Sequence, residues 1–229
     1  MRYETHVKEV IQRTHNVKSF RFGRPYGFNF QAGQFFFLTL KVDGEKKTKH
    51  FTISSPPTQK EYIEFTKKIT NSAFSQLLDR LKGGEWADIN GPRGKFVLED
   101  IKKICFLSGG IGITPIHSIC QYCTDLKLDT DIILLYGNEE ERDIVFQSDC
   151  ERMVENNPNI KVVHILNNIP GNWKGHSGYI TTDIIKKEVS DFQERMFYIC
   201  GPPKMVDAML ELLKDLDVKK IKIEKFPGY

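Results

Sequence analysis

Three short stretches of this chain carry residue types whose spacing suits the handling of phosphates, flat rings and thiols. The first is Ser108-Gly109-Gly110-Ile111-Gly112-Ile113-Thr114-Pro115. Its glycines allow a backbone to approach a pyrophosphate closely. Its Thr-Pro ending predicts a helix capped by Thr114 with Pro115 at the first helical position, whose amino end adds N–H groups and positive potential. The spacing is not the G-x-G-x-x-G of ordinary dehydrogenases, and tight turns use glycine routinely, so the stretch alone does not decide between a nucleotide cradle and a plain turn. The second is Tyr198-Ile199-Cys200-Gly201-Pro202-Pro203. Taken alone, Cys200 reads as a small core residue and Gly-Pro-Pro as a stiff turn. The third, Lys49-His50-Phe51-Thr52-Ile53-Ser54-Ser55-Pro56, mixes a cation, an aromatic ring and hydroxyls. On an extended segment Lys49 and Phe51 share one face and Thr52 opens onto the other; Phe-Thr-Ile is also ordinary strand composition.

Other constellations point away from other chemistries. Cys120-x-x-Cys123 looks like half a metal or redox site, but no second pair follows, and with Ile116 and Ile119 it completes the i, i+3, i+4, i+7 stripe of a buried helix face. The histidines have no ligand spacing, so no metal site is expected. No motif assembles a Ser, His and Asp triad, and Glu139-Glu140-Glu141 reads as a solvated turn, which disfavours hydrolysis.

The elements that must position these stretches fall into two groups. Segments 17–23, 34–42, 49–54, 62–69 and 86–90 are rich in Phe, Thr and Val, alternate in polarity and are separated by Gly, Pro, Asn and Asp clusters. They predict an antiparallel β-barrel with one helix, capped by Asn71 or Ser72, that carries Phe74, Leu77, Leu78 and Leu81 on one face. After about Glu99 the pattern alternates strand and helix: 103–108, 115–126, 130–137, 146–156, 160–166, 182–189, 195–200, 204–216 and 221–226. Runs such as Ile132-Ile133-Leu134-Leu135, apolar at consecutive positions, are what strands covered on both faces require. The expectation is a two-domain chain, an antiparallel β-barrel over residues 1–99 and an α/β doubly wound parallel sheet over 100–229. Both chemistry-bearing turns of the second half close strands of one sheet and so face a common crevice beyond its carboxyl edge.

Composition narrows the partners. The 229 residues include 33 basic and 30 acidic side chains, interleaved and netting only +3, which does not suit a nucleic-acid partner. The most apolar stretches, 34–40 and 132–136, are far shorter than the ~20 residues of a membrane span, and the amino-terminal residues read as no secretory signal, so no membrane insertion is expected. An odd number of cysteines, 5, points to reduced thiols and a cytoplasmic protein without disulfides.

Lys49-His50-Phe51-Thr52-Ile53-Ser54-Ser55 resembles the R-x-Y-[ST]-x-x-S flavin signature of the ferredoxin–NADP reductase superfamily. The rest of that family's motifs follow in order: Gly91-Pro92-Arg93-Gly94-Lys95-Phe96 is similar to its G-P-x-G-x-F turn, Gly109 to Pro115 to its nicotinamide-nucleotide loop, Tyr136-Gly137-Asn138 with Asp143-Ile144 to its second nucleotide loop, and Cys200-Gly201-Pro202-Pro203 to its C-G-P-P turn. The resemblance covers nearly the whole chain. It implies that Lys49, in place of the family's Arg, faces the flavin pyrophosphate with His50 beside it, that Phe51 stacks where the family has Tyr, and that Thr52 lies near the flavin N5. Ser55 aligns with the signature's last serine, Thr66 and Lys68 with the strand along the ribityl and phosphate groups, and Ser75 with the pyrophosphate-binding residue at a helix amino end. Gly110, Ile111, Gly112, Thr114, Pro115, Asn138, Gly201 and Pro202 are implied to hold the nicotinamide nucleotide, with Thr114 between the two cofactors and Cys200 beside the nicotinamide ring. Thr52 and Cys200 are the implied catalytic residues. Tyr229 reads either as an aromatic cover for the flavin or as a frayed end.

The resemblance implies an FAD-dependent NAD(P)H oxidoreductase that passes electrons to a separate carrier such as a ferredoxin or flavodoxin, since no iron–sulfur cysteine pattern is present. A non-catalytic nucleotide-binding or assembly subunit is the alternative that the Lys49 and Phe51 departures keep open. Negative charge in Asn138-Glu139-Glu140-Glu141 favours NADH over NADPH, with Arg142 as a possible counterweight.

Overall fold

The computed structural model describes residues 1–42 and 45–226; Tyr229, named above, lies outside them. Strands β1 (Arg2–Thr14), β2 (Val17–Gly23), β3 (Phe35–Val42), β4 (Glu45–Thr52), β5 (Tyr62–Lys68) and β6 (Trp86–Arg93) form an antiparallel sheet in the order β4-β3-β6-β1-β2-β5. The sheet rolls until its ends meet, where the Ser54 amide just after β4 donates to the Glu64 carbonyl of β5 at 2.7 Å. Inside the roll pack Phe20, Phe22, Phe36, Leu38, Phe51, Ile63 and Phe65, and helix α1 (Ala73–Arg80) closes one end with Phe74 and Leu78.

Two strands of the barrel half differ from the sequence expectation. Strand β1 is absent from it because only Thr5 and Val7 of its length are buried. Its stability comes from pairing, residues 2–6 with β6 and 7–14 with β2, rather than from a buried apolar face. Strand β4 starts at Glu45 because the exposed Glu45-Lys46-Lys47-Thr48 arm pairs with β3, an edge that charge protects from further pairing.

The second half is a parallel sheet of β7 (Lys103–Gly109), β8 (Asp131–Asn138), β9 (Ile160–Leu166), β10 (His176–Ser177), β11 (Met196–Gly201) and β12 (Ile221–Lys225), in the order β10-β9-β8-β7-β11-β12. Helices α2 (Ile113–Asp125), α3 (Gln147–Asn156), α4 (Thr182–Glu188) and α5 (Pro203–Asp215) cover its faces. Alternate residues of the central strands enter different cores: Ile104, Phe106, Leu134 and Tyr136 pack with α2 and α3, and Cys105, Leu107, Ile133 and Leu135 with α4 and α5. Cys120, Cys123 and Cys150 are buried in the first of these cores, so the Cys-x-x-Cys pair is packing.

Strand order reverses at β7, which has β8 on one side and β11 on the other; ligands of open sheets gather beyond such a reversal. That point also faces the barrel, because Val17, Ala32 and Phe96 share a core with Ile113, Ile116 and Ile119 of α2. Tyr198 adds a hydroxyl that donates to the Val97 carbonyl at 3.1 Å.

The floor of the sheet is tied by a buried cation. Arg195, 4% exposed, donates to Asp191 at 2.6 Å, to both Asp131 carboxylate oxygens and to the carbonyls of Ile104 and Asp131. Removing one partner of such a group leaves the others desolvated without compensation. Arg195→Met is expected to cost about 3 kcal/mol, read as a lower urea midpoint with an unchanged slope.

Candidate active site

A continuous groove runs along the seam between barrel and parallel sheet. Its middle is a cavity of about 230 Å³ lined by His50, Phe51 and Thr52 of β4, Thr66, Lys67 and Lys68 of β5, and Ile111, Thr114, Pro202 and Phe226. A second cavity of about 390 Å³ shares Lys68, Ile111 and Pro202 with it and extends past Gly109, Gly110, Asn138, Glu139, Tyr179 and Met205. On the barrel side, a third of about 510 Å³ shares Phe51 and Lys67 and is lined by Lys47, Lys49, Ser72, Ala73 and Phe74.

The middle cavity offers a flat apolar bed. Phe51 is the outermost ring of a stack, 4.2 Å from Phe65 at 18° between planes, and Phe65 in turn stacks on Phe20 at 5.0 Å and Phe22 at 5.8 Å. On the opposite face of β5 from Phe65, the Thr66 hydroxyl is shared between Ser19 at 2.7 Å and Ser54 at 3.0 Å, so these hydroxyls satisfy one another. The third cavity gathers positive charge. Burial and the Lys49 charge push both the His50 and Lys67 pKa values down. Phosphate groups fit there, next to the first turn of α1.

Glycine geometry defines the second cavity. Gly110 has φ +51°, and a Cβ there would meet nothing within 4 Å, so its backbone presents an open face. A Cβ on Gly112 would lie 2.3 Å from the Cys200 carbonyl oxygen, and one on Gly109 2.4 Å from the Met205 sulfur. The turn after β7 therefore touches the turn after β11, and only glycine permits it. The Tyr136 hydroxyl holds the Gly110 carbonyl at 2.9 Å. The Ser108 hydroxyl in the cavity wall is buried without a hydrogen-bond partner, a free polar group for a bound nucleotide. The residues present thus fit a flat ring system with a diphosphate on one side and a second extended nucleotide on the other.

Several side chains named from the sequence stand elsewhere than expected. Thr114 does not cap α2: a 3₁₀ turn over Gly110–Gly112 winds straight into the helix, Gly112 is the cap, and the Thr114 hydroxyl donates to the Ile111 carbonyl at 3.3 Å. Pro115 accordingly lies inside the first turn and is buried. Ser55 leaves the cavity, because after Thr52 the chain turns to pair with β5; its hydroxyl accepts from the Glu64 amide at 2.9 Å and lines a cleft on the other side of the seam. Ser75 is wholly buried under α1, where its amide donates to the capping Ser72 hydroxyl, and Ser72 and Ala73 line the cavity instead. Cys200 has no exposed surface, since alternation along β11 turns it into the core with Tyr198; only its backbone reaches the glycine turn. Pro202 forms the wall that both nucleotide cavities share.

Two groups escaped the sequence reading. Glu139, just past β8, has its carboxylate gripped by the side-chain amides of Asn167 and Asn168, each at 2.9 Å, and lines the far end of the second cavity. Its charge was visible, but the two amides come from the end of another strand. Glu224 lies opposite Cys200 in the β11–β12 register, with one carboxyl oxygen buried and unpartnered. Burial pushes its pKa up from 4.5 to about 7.

Residues 4–98 match the family model of the oxidoreductase FAD-binding domain and residues 106–211 that of the oxidoreductase NAD-binding domain. The chain belongs to the ferredoxin–NADP reductase superfamily, as a protein with one FAD-binding and one NAD-binding domain. It is 33% identical over 215 residues to a glycine betaine monooxygenase reductase subunit of Pseudomonas aeruginosa, covering 90% of this chain and 58% of that one. Similarity to NADH-cytochrome b5 reductase 1 of Dictyostelium discoideum is 30% over 228 residues, 96% of this chain and 80% of the relative. The fold superposes on the cytochrome b5 reductase domain of Ulva prolifera nitrate reductase with a TM-score of 0.86 at 22% identity, covering 98% of this chain and 97% of that domain. This chain thus spans about three fifths of the reductase subunits it matches.

Burial raises the pKa of all the cysteine thiols, Cys123 to about 11 and Cys150 to about 12, with Cys105, Cys120 and Cys200 also well above the usual value. A soluble aromatic disulfide reagent at about pH 8 is expected to label none of them in the native protein and all of them in denaturant. For Glu224 the raised native pKa means that stability is lost as pH climbs from 4.5 to about 7 and stays lost above. Glu224→Gln is expected to stabilise the protein by up to ~3 kcal/mol at about pH 8.5 and to change little near pH 4, measured by denaturant titration at both.

Proposed function

We propose that the chain is an FAD-dependent NADH oxidoreductase that feeds electrons to a separate carrier or oxygenase protein. The observation that carries this reading is the wall of Ile111, Pro202 and Lys68 common to the two cavities, which supports two ligands bound within contact of each other. Bound FAD supplies a ring that accepts a hydride at N5 and releases electrons singly. The protein's part is orientation rather than proton transfer: Phe51 backs the ring, Thr52 and Thr114 stand at its working edge, and Lys49 and Lys67 with the first turn of α1 hold its phosphates. Gly110, Ile111, Gly112, Asn138, Gly201 and Pro202 take the nicotinamide nucleotide. The buried thiol leaves Cys200 a supporting role through its carbonyl, so the catalytic weight falls on Thr52.

Glu139 supports NADH over NADPH. A carboxylate fixed by two amides accepts hydrogen bonds from ribose hydroxyls and repels a 2′-phosphate. The similarity to reductase subunits supports a separate protein acceptor. Lys46, Lys47, Lys49, Lys67 and Lys68 around the barrel side of the groove favour an acidic one. Reduced thiols support a cytoplasmic compartment, and no helix among the described residues is long and apolar enough to cross a membrane.

The protein reconstituted with FAD is expected to be yellow and to bleach on anaerobic titration with NADH at lower concentrations than with NADPH. A colourless protein, or one bleached by neither nucleotide, overturns the reading in favour of an assembly subunit. Thr52→Ala is expected to slow flavin reduction by about 10-fold or more while FAD affinity changes less, seen by stopped flow. Glu139→Lys is expected to raise the NADPH to NADH preference by about 10-fold or more through inversion of the charge at the ribose.

A further inference from the structure

The cleft on the far side of the seam, opposite the nucleotide groove, holds a set of buried bonds that the proposed chemistry does not use. His117 and Ser118 are consecutive on α2. The His117 Nδ1 lies 2.8 Å from the Ser54 carbonyl oxygen, and the Ser118 hydroxyl donates to the Ser55 carbonyl at 2.7 Å. A carbonyl only accepts, so Nδ1 carries the hydrogen in this contact. Both side chains are buried, His117 at 8% exposure and Ser118 at 0%.

We propose that His117 and Ser118 are positioning residues: by holding two successive carbonyls of the segment that leaves β4, they set the spacing between the ring bed at Phe51 and Thr52 and the nucleotide turn at Ile111 to Thr114. The inference rests on the functional reading above. Its force comes from the shortness of the linkage. Ser54 is two residues beyond Thr52, and His117 is three residues, about 4.5 Å along the helix, beyond Thr114.

The clasp is itself braced from both domains. The His117 ring stacks on Phe146 at 3.9 Å with 20° between planes, and its Nε2 lies 3.4 Å from the Asp149 carboxylate. Phe146 is held at φ +64°, a left-handed conformation that bulky residues rarely adopt, where its ring fits between His117 and the Arg13 guanidinium, 5.0 Å away. Arg13, from β1, pairs with Asp149 at 3.6 Å and with Glu64 of β5 at 3.1 Å. Glu64 closes the circuit, its amide donating to the Ser55 hydroxyl and its carbonyl accepting from the Ser54 amide. The carbonyls that His117 and Ser118 hold therefore belong to a braced segment rather than to a free loop.

A bond that only glued the domains together would affect stability and every reaction of the flavin alike. A bond that sets ring spacing affects the step that needs both rings, because hydride transfer depends steeply on donor–acceptor distance and a displacement of about 1 Å costs about 100-fold. The test uses the full chain loaded with FAD, as wild type, Ser118→Ala, His117→Leu and His117→Gln. The limiting rate of flavin reduction at saturating NADH is expected to fall about 10- to 100-fold in Ser118→Ala and His117→Leu. FAD content, half-saturating NADH and the rate at which ferricyanide reoxidises dithionite-reduced protein are expected to stay within about 3-fold of wild type. His117→Gln, whose amide can donate to the Ser54 carbonyl, is expected to recover most of the reduction rate. In the absence of nucleotides, hydrogen exchange in the variants is expected to quicken at residues 53–55 and 113–118. Should His117→Leu fail to fold, Ser118→Ala carries the test. Reduction at the wild-type rate in Ser118→Ala overturns the proposal, as does an equal slowing of both half-reactions. A wild type that NADH does not bleach overturns the functional reading and this proposal together, a result distinct from the other two.

Discussion

Gly112 presses against the Cys200 carbonyl so closely that a single added carbon would sit 2.3 Å from the oxygen. That approach joins the turn after β7 to the turn after β11 across the point where strand order reverses, and the rest of the groove follows from it. With the two turns in contact, Ile111 and Pro202 become one wall, and the barrel strand carrying Phe51 and Thr52 can lie across it. A side chain in place of the hydrogen would part the turns and with them the two cavities. The same crowding explains why Gly109 faces Met205: α5 must begin directly beneath the turn for Pro202 to reach the shared wall.

Charge is distributed along the groove to match an elongated ligand pair. On the barrel side burial and the Lys49 charge both push the His50 and Lys67 pKa values down. At the other end stand the Glu139 carboxylate, held by Asn167 and Asn168, and the Asp143 carboxylate, which accepts from the Glu140 amide. Cationic at the barrel end and anionic at the Glu139 end, the groove has a polarity that suits the ligand pair proposed above.

Legibility from sequence followed burial. Strands covered on both faces, such as β7, β8 and β11, announce themselves as apolar runs with boundaries good to a residue or two, whereas β1 is held by its neighbours' hydrogen bonds and leaves no apolar pattern to read. The motifs located the backbone segments that meet at the seam. They did not locate the side chains, because where a side chain points just past a strand depends on pairings distant in sequence. Ser55 is turned away by Glu64, Ser75 is sealed under α1 by Thr70 and Ser72, and Cys200 is turned inward by the parity of β11. The grip on Glu139 needs β8 and β9 to end side by side, which is a property of the sheet and not of either strand.

The departures at Lys49 and Phe51 from the flavin signature make sense in this packing. A tyrosine at position 51 would bring a hydroxyl to fix its ring; here the ring is fixed from below, as the top of a stack through Phe65 to Phe20 and Phe22. Hydroxyl bonding lies instead on the opposite face of β2 and β5, in the Ser19, Thr66 and Ser54 chain that joins them to the end of β4. Lys49 lacks the planar fork of arginine, but it does not act alone, since Lys67 stands across the same cavity. For the FAD proposed above, two point charges in place of one bidentate contact would hold the diphosphate by field rather than by geometry. Such binding would weaken as salt rises and leave the ring bed, not the phosphate grip, to fix where that flavin lies. The spacing of the ring bed from the nucleotide turn then matters more in this chain than the exact fit of its phosphates.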